Sequence, residues 1–142
     1  MLVRDSVSKP IPTIQKFMTT APHTIGAEQT LAKAHELMRE HGIRHLPVLT
    51  GGKLVGVISD RDLRLVESLK DVDPKTLRVD EAMTTDVVGV APDLALDEVV
   101  QTMGAKKIGS VVVMQNQKVV GIFTTVDLCR AFAELLQTRL AK

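Results

Sequence analysis

The chain has 142 residues, 44% of them hydrophobic and 25% charged, a balance suited to one soluble globular domain and too short for two full-sized ones. Eighteen Lys and Arg against seventeen Asp and Glu leave a net charge of +1, which disfavours a broad nucleic-acid or membrane-surface footprint. Three Phe with no Trp or Tyr exclude an aromatic base-stacking platform, and a single cysteine, Cys129, excludes an internal disulfide and a four-cysteine zinc site.

Met1-Leu2-Val3-Arg4-Asp5 is followed by polar residues and not by an apolar run, so no signal peptide is read. No stretch approaches the roughly 20 apolar residues of a membrane span. A cytoplasmic location and no membrane partner are expected. Residues 1–13, with Pro10 and Pro12, read as an N-terminal extension. A short strand is predicted near Met18-Thr19-Thr20. A helix follows, with Thr30 as N-cap, an apolar stripe of Leu31, Ala34, Leu37 and Met38, and Gly42 as a left-handed C-cap.

Residues 43–49 (Ile-Arg-His-Leu-Pro-Val-Leu) read as a strand, with Pro47 pointing to an edge position or a strand end. Thr50-Gly51-Gly52-Lys53 is a hairpin turn, residues 54–59 the return strand, and a helix is predicted from Asp60 to Leu69. Residues 70–78, with Asp73-Pro74, read as a linker. The same order then returns. Leu96, Val99, Val100 and Met103 form a helical stripe, and residues 108–114 are a β-branched strand. Gln115-Asn116-Gln117-Lys118 is a turn, and residues 119–124 are the return strand. A last helix starts near Thr125, carries Leu128, Phe132, Leu135 and Leu136 on one face, and runs toward the C-terminus.

Placed over residues 79–128, residues 14–63 align without a gap, and twelve of fifty positions are identical. The identities include Met18/Met83, Thr19/Thr84, Thr20/Thr85, Gly56/Gly121 and Asp62/Asp127. Each half is too small to bury much core alone. The fold class is therefore α/β (α+β): two strand-helix-strand-strand-helix repeats, residues 14–69 and 79–142, packed about a pseudo-twofold axis as one domain.

Two motifs sit at corresponding places, Gly56-Val57-Ile58-Ser59-Asp60-Arg61-Asp62-Leu63 and Gly121-Ile122-Phe123-Thr124-Thr125-Val126-Asp127-Leu128. With the Met-Thr openings and Ile43-Arg44-His45-Leu46-Pro47-Val48, the chain resembles a pair of CBS (cystathionine β-synthase) motifs, a Bateman module, over about residues 14–132. The resemblance implies a regulatory sensor of adenosyl ligands with two clefts between the repeats. AMP, ADP or ATP is the first expectation, with S-adenosylmethionine or NAD behind them. It also implies that Ser59 and Thr124 meet phosphate, that Asp62 and Asp127 hold ribose hydroxyls, and that Arg44 and His45 face phosphate. Adenine would lie around Thr20 to Pro22 in one repeat and Thr85 to Val87 in the other, although Pro22 lacks a backbone donor. A homodimer of two pairs in a disc, and a regulated protein partner yet to be identified, are implied as well.

The residue types suit those roles. A helix start after Ser59 or Thr124 favours an anion. A carboxylate one turn on can accept from a vicinal diol, and Arg44 can fork onto phosphate oxygens. Arg61, also in the first turn, is within expected reach of the same phosphate. In the second repeat Gly109, Ser110 and Val126 replace Arg44, His45 and Arg61, so unequal clefts are expected. Simpler roles stand beside these: Asp62 and Asp127 as first-turn helix carboxylates, Ser59 and Thr124 as N-caps, and Arg44 and His45 as solvated strand residues. His35, His41 and His45 have no metal-ligand spacing, because Gly42 breaks the helix between the last two. Cys129 is expected to be half-buried. No catalytic motif is found, and a non-enzyme is expected. The competing function is a dimerising interaction scaffold whose clefts are vestigial.

Overall fold

The computed structural model describes residues 10–139. The first nine residues of the expected extension and the last three of the C-terminal helix lie outside that range. The first repeat runs α1 (Ile14–Phe17), β1 (Thr19–Thr20), β2 (Ile25–Gly26), α2 (Leu31–His41), β3 (His45–Thr50), β4 (Lys53–Ser59) and α3 (Asp60–Glu67). The second runs from a 3₁₀ turn (Val79–Glu81) through β5 (Gly89–Val90), α4 (Leu96–Lys106), β6 (Ser110–Gln115), β7 (Lys118–Thr124) and α5 (Thr125–Arg139). The tandem α/β architecture is the expected one, with the short α1, the 3₁₀ turn, β2 and β5 added to it.

Local chemistry sets the element ends. The Thr30 side chain accepts a hydrogen bond from the Lys33 N–H at the start of α2, and Gly42 closes that helix at φ 63°. At α4 the closing left-handed residue is Lys107, at φ 55°. The two hairpins turn through Gly51 and Gly52 at φ 56° and 81°, and through Asn116 and Gln117 at φ 53° and 64°. Two consecutive left-handed residues match the twist of the flanking strands, and in the second hairpin side-chain-bearing residues pay that conformational cost. Pro47 sits inside β3 and not at its end. Its partner Val57 turns its N–H and C=O outward to Thr84, and β2 reaches only Val48 and Leu49, so no bond is lost for want of a proline N–H.

The two repeats exchange their opening segments. β1 pairs antiparallel with β7 of the other repeat, Thr19 opposite Ile122, giving a sheet ordered β1-β7-β6-β5. Sixty-five residues on, Thr84 makes the equivalent bridge to Val57 of β4. The Ile14 N–H donates to the Leu94 carbonyl at 2.9 Å, and the Val79 N–H donates to the Gln29 carbonyl at 2.7 Å. The Leu96 N–H donates to Pro12 and the Leu31 N–H to Leu77 in the same mirrored way, each at 2.9 Å. Residues 10–13 and the end of the 70–78 linker are thus equivalent segments, each laid across the repeat it does not belong to.

The cores follow the exchange. One contains Ile25, Leu31, Ala34, Met38, Leu46, Val48, Ile58 and Leu63, and it takes in Val79. The other contains Leu96, Val99, Met103, Val111, Val113 and Phe123, and it takes in Ile14. The sequence repeat and the packing unit therefore differ by one short segment. Gly56 and Gly121 recur because the crossing is tight there. A Cβ on Gly56 would stand 2.6 Å from Met83 Sδ and 2.8 Å from the Thr84 carbonyl oxygen, and Met18 Sδ presses on Gly121 in the same way.

Candidate functional site

The exchange places residues of both repeats around one cleft of about 530 Å³. Its walls come from the β1 exit (Thr19 to His23), from the α2–β3 junction (Gly42 to His45), and from the β7–α5 junction with Thr124, Asp127 and Arg130. Of the residues singled out above, Thr20, Pro22, Arg44, His45, Thr124 and Asp127 line this cleft together. Ser59, Arg61, Asp62, Thr85 and Val87 do not. Arg61 is therefore not beside the group that Arg44 faces. It is exposed on the first turn of α3, whereas Arg44 faces the start of α5.

Asp127 is the best-held polar group. Its side chain is buried, 2% exposed. Oδ1 accepts from the Thr19 hydroxyl at 3.0 Å, and Oδ2 accepts from the Thr124 N–H at 2.9 Å and the Thr124 hydroxyl at 3.2 Å. The Arg130 guanidinium approaches Oδ1 at 3.5 Å. Asp127 thereby caps α5 and ties it to β1 of the other repeat. Asp62 makes a simpler arrangement: its Oδ2 accepts from the Ser59 N–H at 2.9 Å, while Ser59 Oγ accepts from the Asp62 N–H at 3.1 Å, a capping box for α3. Ser59 keeps its hydroxyl proton to give, whereas Thr124 has turned its own onto Asp127. The N-cap role of Ser59 and the first-turn roles of Asp62 and Asp127 are thus present in the structure, whereas the Thr124 hydroxyl donates to Asp127 and accepts no helix N–H.

His45 stands between the two repeats. Burial lowers its pKa below the usual imidazole range; the Asp60 and Asp62 carboxylates oppose that shift, and neighbouring Arg44 adds to it. A Cβ on Gly109 would come within 3.2 Å of His45 Nε2. A side chain at position 109 would press on the His45 ring, which would have to give by a few tenths of an ångström. The other histidines are placed apart. His35 Nε2 bonds Glu67 Oε2 at 2.6 Å, tying α2 to α3, and His23 stacks on His41 with ring centroids 3.6 Å apart. Among the described residues no group of three or more His, Cys, Asp or Glu is placed to hold a metal ion.

Two lining residues of consequence were not foreseen from the sequence. In the sequence Thr19 marks only the opening of a strand, and Arg130 carries no signal of its own. Ala21 adds a local signal invisible to periodicity: its φ of +48° swings the chain from β1 into Pro22 at the cleft wall. Cys129 is exposed and not half-buried, because the buried stripe of α5 runs through Leu128, Ala131 and Leu135.

Comparison with known proteins places the chain. A model of the CBS domain family matches residues 8–68 and 79–134. The CBS domain-containing protein YhcV of Bacillus subtilis is 31% identical over 115 residues, covering 81% of each chain. An inosine-5'-monophosphate dehydrogenase of Korarchaeum cryptofilum is 32% identical over 124 residues, 87% of this chain, but the match spans only 25% of that enzyme. Among solved structures, the CBS domain pair of protein MJ0100 in complex with 5'-methylthioadenosine and S-adenosyl-L-methionine superposes with a TM-score of 0.80. It is 28% identical and covers 88% of this chain and 98% of its own.

Proposed function

This chain belongs to the CBS domain family, and from that premise we propose that it is a regulatory module binding an adenine nucleotide (AMP, ADP or ATP) in the cleft between its repeats. The observation that carries this reading is the meeting of Arg44 and Asp127 in one cleft, one from each repeat. A carboxylate held by a helix cap can accept from a ribose diol, and a guanidinium on the opposite wall can fork onto phosphate. The adenosyl ligands of MJ0100 support an adenosyl class at this kind of cleft. Thr20 and Pro22 would flank the base. Ser59, Asp62, Arg61, Thr85 and Val87 would serve the related cleft, which lacks a counterpart of Arg44 and is proposed as the weaker one. Binding would act by population shift: a ligand touching both repeats favours the arrangement in which Arg44 and Asp127 both reach it. No catalysis and a cytoplasmic setting remain part of this reading, and a downstream protein would receive the signal.

The test is calorimetric titration of the purified chain, stripped of carried-over ligand, with AMP, ADP, ATP, S-adenosylmethionine and NAD. Micromolar binding by a nucleotide is expected. Arg44→Ala should weaken AMP and ATP by about ten- to a hundredfold while leaving adenosine little changed, since one charge-assisted interaction contributes about 1.5–3 kcal/mol. Equal loss for all three ligands would show that Arg44 acts through structure. Absence of binding by any adenosyl ligand would favour the interaction scaffold.

The module is further proposed to be a homodimer. α3, the turn after it and α5 leave Leu65, Leu69, Phe132 and Leu136 exposed, at 68%, 60%, 60% and 41%. Ile11 and Val100 continue the α5 side as an almost wholly apolar groove. An exposed apolar groove of this kind marks an interaction surface. Sedimentation should give twice the monomer mass, and Phe132→Glu should return it to 15.5 kDa. A wild-type monomer at tens of micromolar would remove the dimer from the proposal.

A further inference from the structure

Three of the acceptor positions of Asp127 are taken by hydrogen bonds, and the Arg130 guanidinium stands over the remaining side as an ion pair at 3.5 Å. Thr124 supplies two donors from the helix cap, and Thr19 supplies a third from β1, whose position the β7 pairing fixes. A carboxylate offers about four lone-pair sites, so an incoming ribose diol must displace something. The group that can leave is Arg130. Its contact is the longest of the four at 3.5 Å, and its side chain is 70% exposed. Released from Asp127, its guanidinium still lines the cleft, which also holds Arg44. Among the described residues Asp127 is the only carboxylate on the lining, so a second free cation there has no acidic residue of the wall to neutralise it once the ribose holds Asp127.

We propose that Arg130 is an exchangeable arm that leaves Asp127 as the ribose arrives and closes, with Arg44, on the ligand's phosphates. The cleft then selects a nucleoside di- or triphosphate over uncharged adenosine and over a cationic sulfonium. The arm belongs to one cleft only, because the equivalent position of the first repeat is Leu65. Two arginines reaching in from different repeats also make polyphosphate a bridge between them, whereas a single phosphate offers fewer oxygens for two bidentate forks. The inference rests on the nucleotide reading above and adds to it the phosphate-side selectivity and its residue.

The experiment titrates the full chain, as wild type, Arg130→Leu and Arg130→Lys, with ATP, adenosine and inorganic tripolyphosphate. Arg130→Leu should weaken ATP about tenfold, change the ribose-free tripolyphosphate much less because nothing releases the arm for it, and leave adenosine unchanged or tighter, because Asp127 loses its internal competitor. Arg130→Lys should fall between, keeping the charge and losing the fork. An equal change for ATP and adenosine, or no change for ATP, overturns the arm. If wild type binds neither ATP nor adenosine, the nucleotide reading fails and the ribose-released arm falls with it, whereas ATP binding with no response to Arg130→Leu, or with one equal to that of adenosine, overturns the arm alone. Tripolyphosphate weakened as much as ATP in Arg130→Leu overturns the exchange, since it makes Arg130 a free cation at all times. Arg130 is exposed enough for both variants to fold, which a thermal melt verifies.

Discussion

Ile14→Ala is expected to lower stability by about 2–5 kcal/mol, and to do so by opening the core of the repeat it does not belong to. Ile14 is 0% exposed and packs with Leu96, Val99, Met103, Val111 and Phe123, all from the second repeat. Its backbone N–H is bonded to Leu94 there. Truncation leaves a cavity that β6 and β7 cannot close, since both are pinned in a ladder from Ser110 to Lys118. Amide exchange separates this from a generic loss. Protection in β6 should fall before protection in β3, whereas Val79→Ala should reverse that order, because Val79 fills the first core. A uniform loss in both strands for both variants would mean that the cores unfold as one unit and that the exchange of segments has no separate energetic consequence.

That exchange is also where sequence reading stops. Capping and turn chemistry are local, so Thr30, Gly42 and Gly51-Gly52 announce their roles within a few residues, and a repeat at constant offset announces two like units. Which unit receives Ile14 depends on contacts more than eighty residues away, and periodicity carries no information about that. β1 is two residues long and exists because β7 offers it a partner a hundred residues later. For the same reason, Arg44 and Arg61 look like neighbours in a linear reading, yet only Arg44 lines the cleft. The carboxylates and hydroxyls of the site were legible because each stands three residues from its capping partner, at the start of a helix. Arg130 was not, since an arginine on the exposed side of an amphipathic helix has an ordinary explanation until Asp127 is found beside it.

Asp127→Ala should abolish nucleotide binding at the principal cleft, a loss of about a hundredfold or more in Kd, while Asp62→Ala leaves that cleft near wild type. Hydrogen bonds to a charged group contribute about 1.5–3 kcal/mol each, and a ribose diol would lose two of them. Asp127→Ala should also destabilise the fold by about 1–3 kcal/mol, since the half-buried Thr124 N–H loses its acceptor. Asp62→Ala removes a capping box on α3 at a cost of about 0.5–2 kcal/mol and takes nothing from the cleft walls. The pair of variants therefore separates folding from recognition: both lose a cap, and only one loses the ligand. Calorimetry on variants first shown folded by a thermal melt reads the difference. Affinity lost in Asp62→Ala and kept in Asp127→Ala would mean that Asp62 holds the nucleotide and that the cleft joining Arg44 to Asp127 is not where it binds.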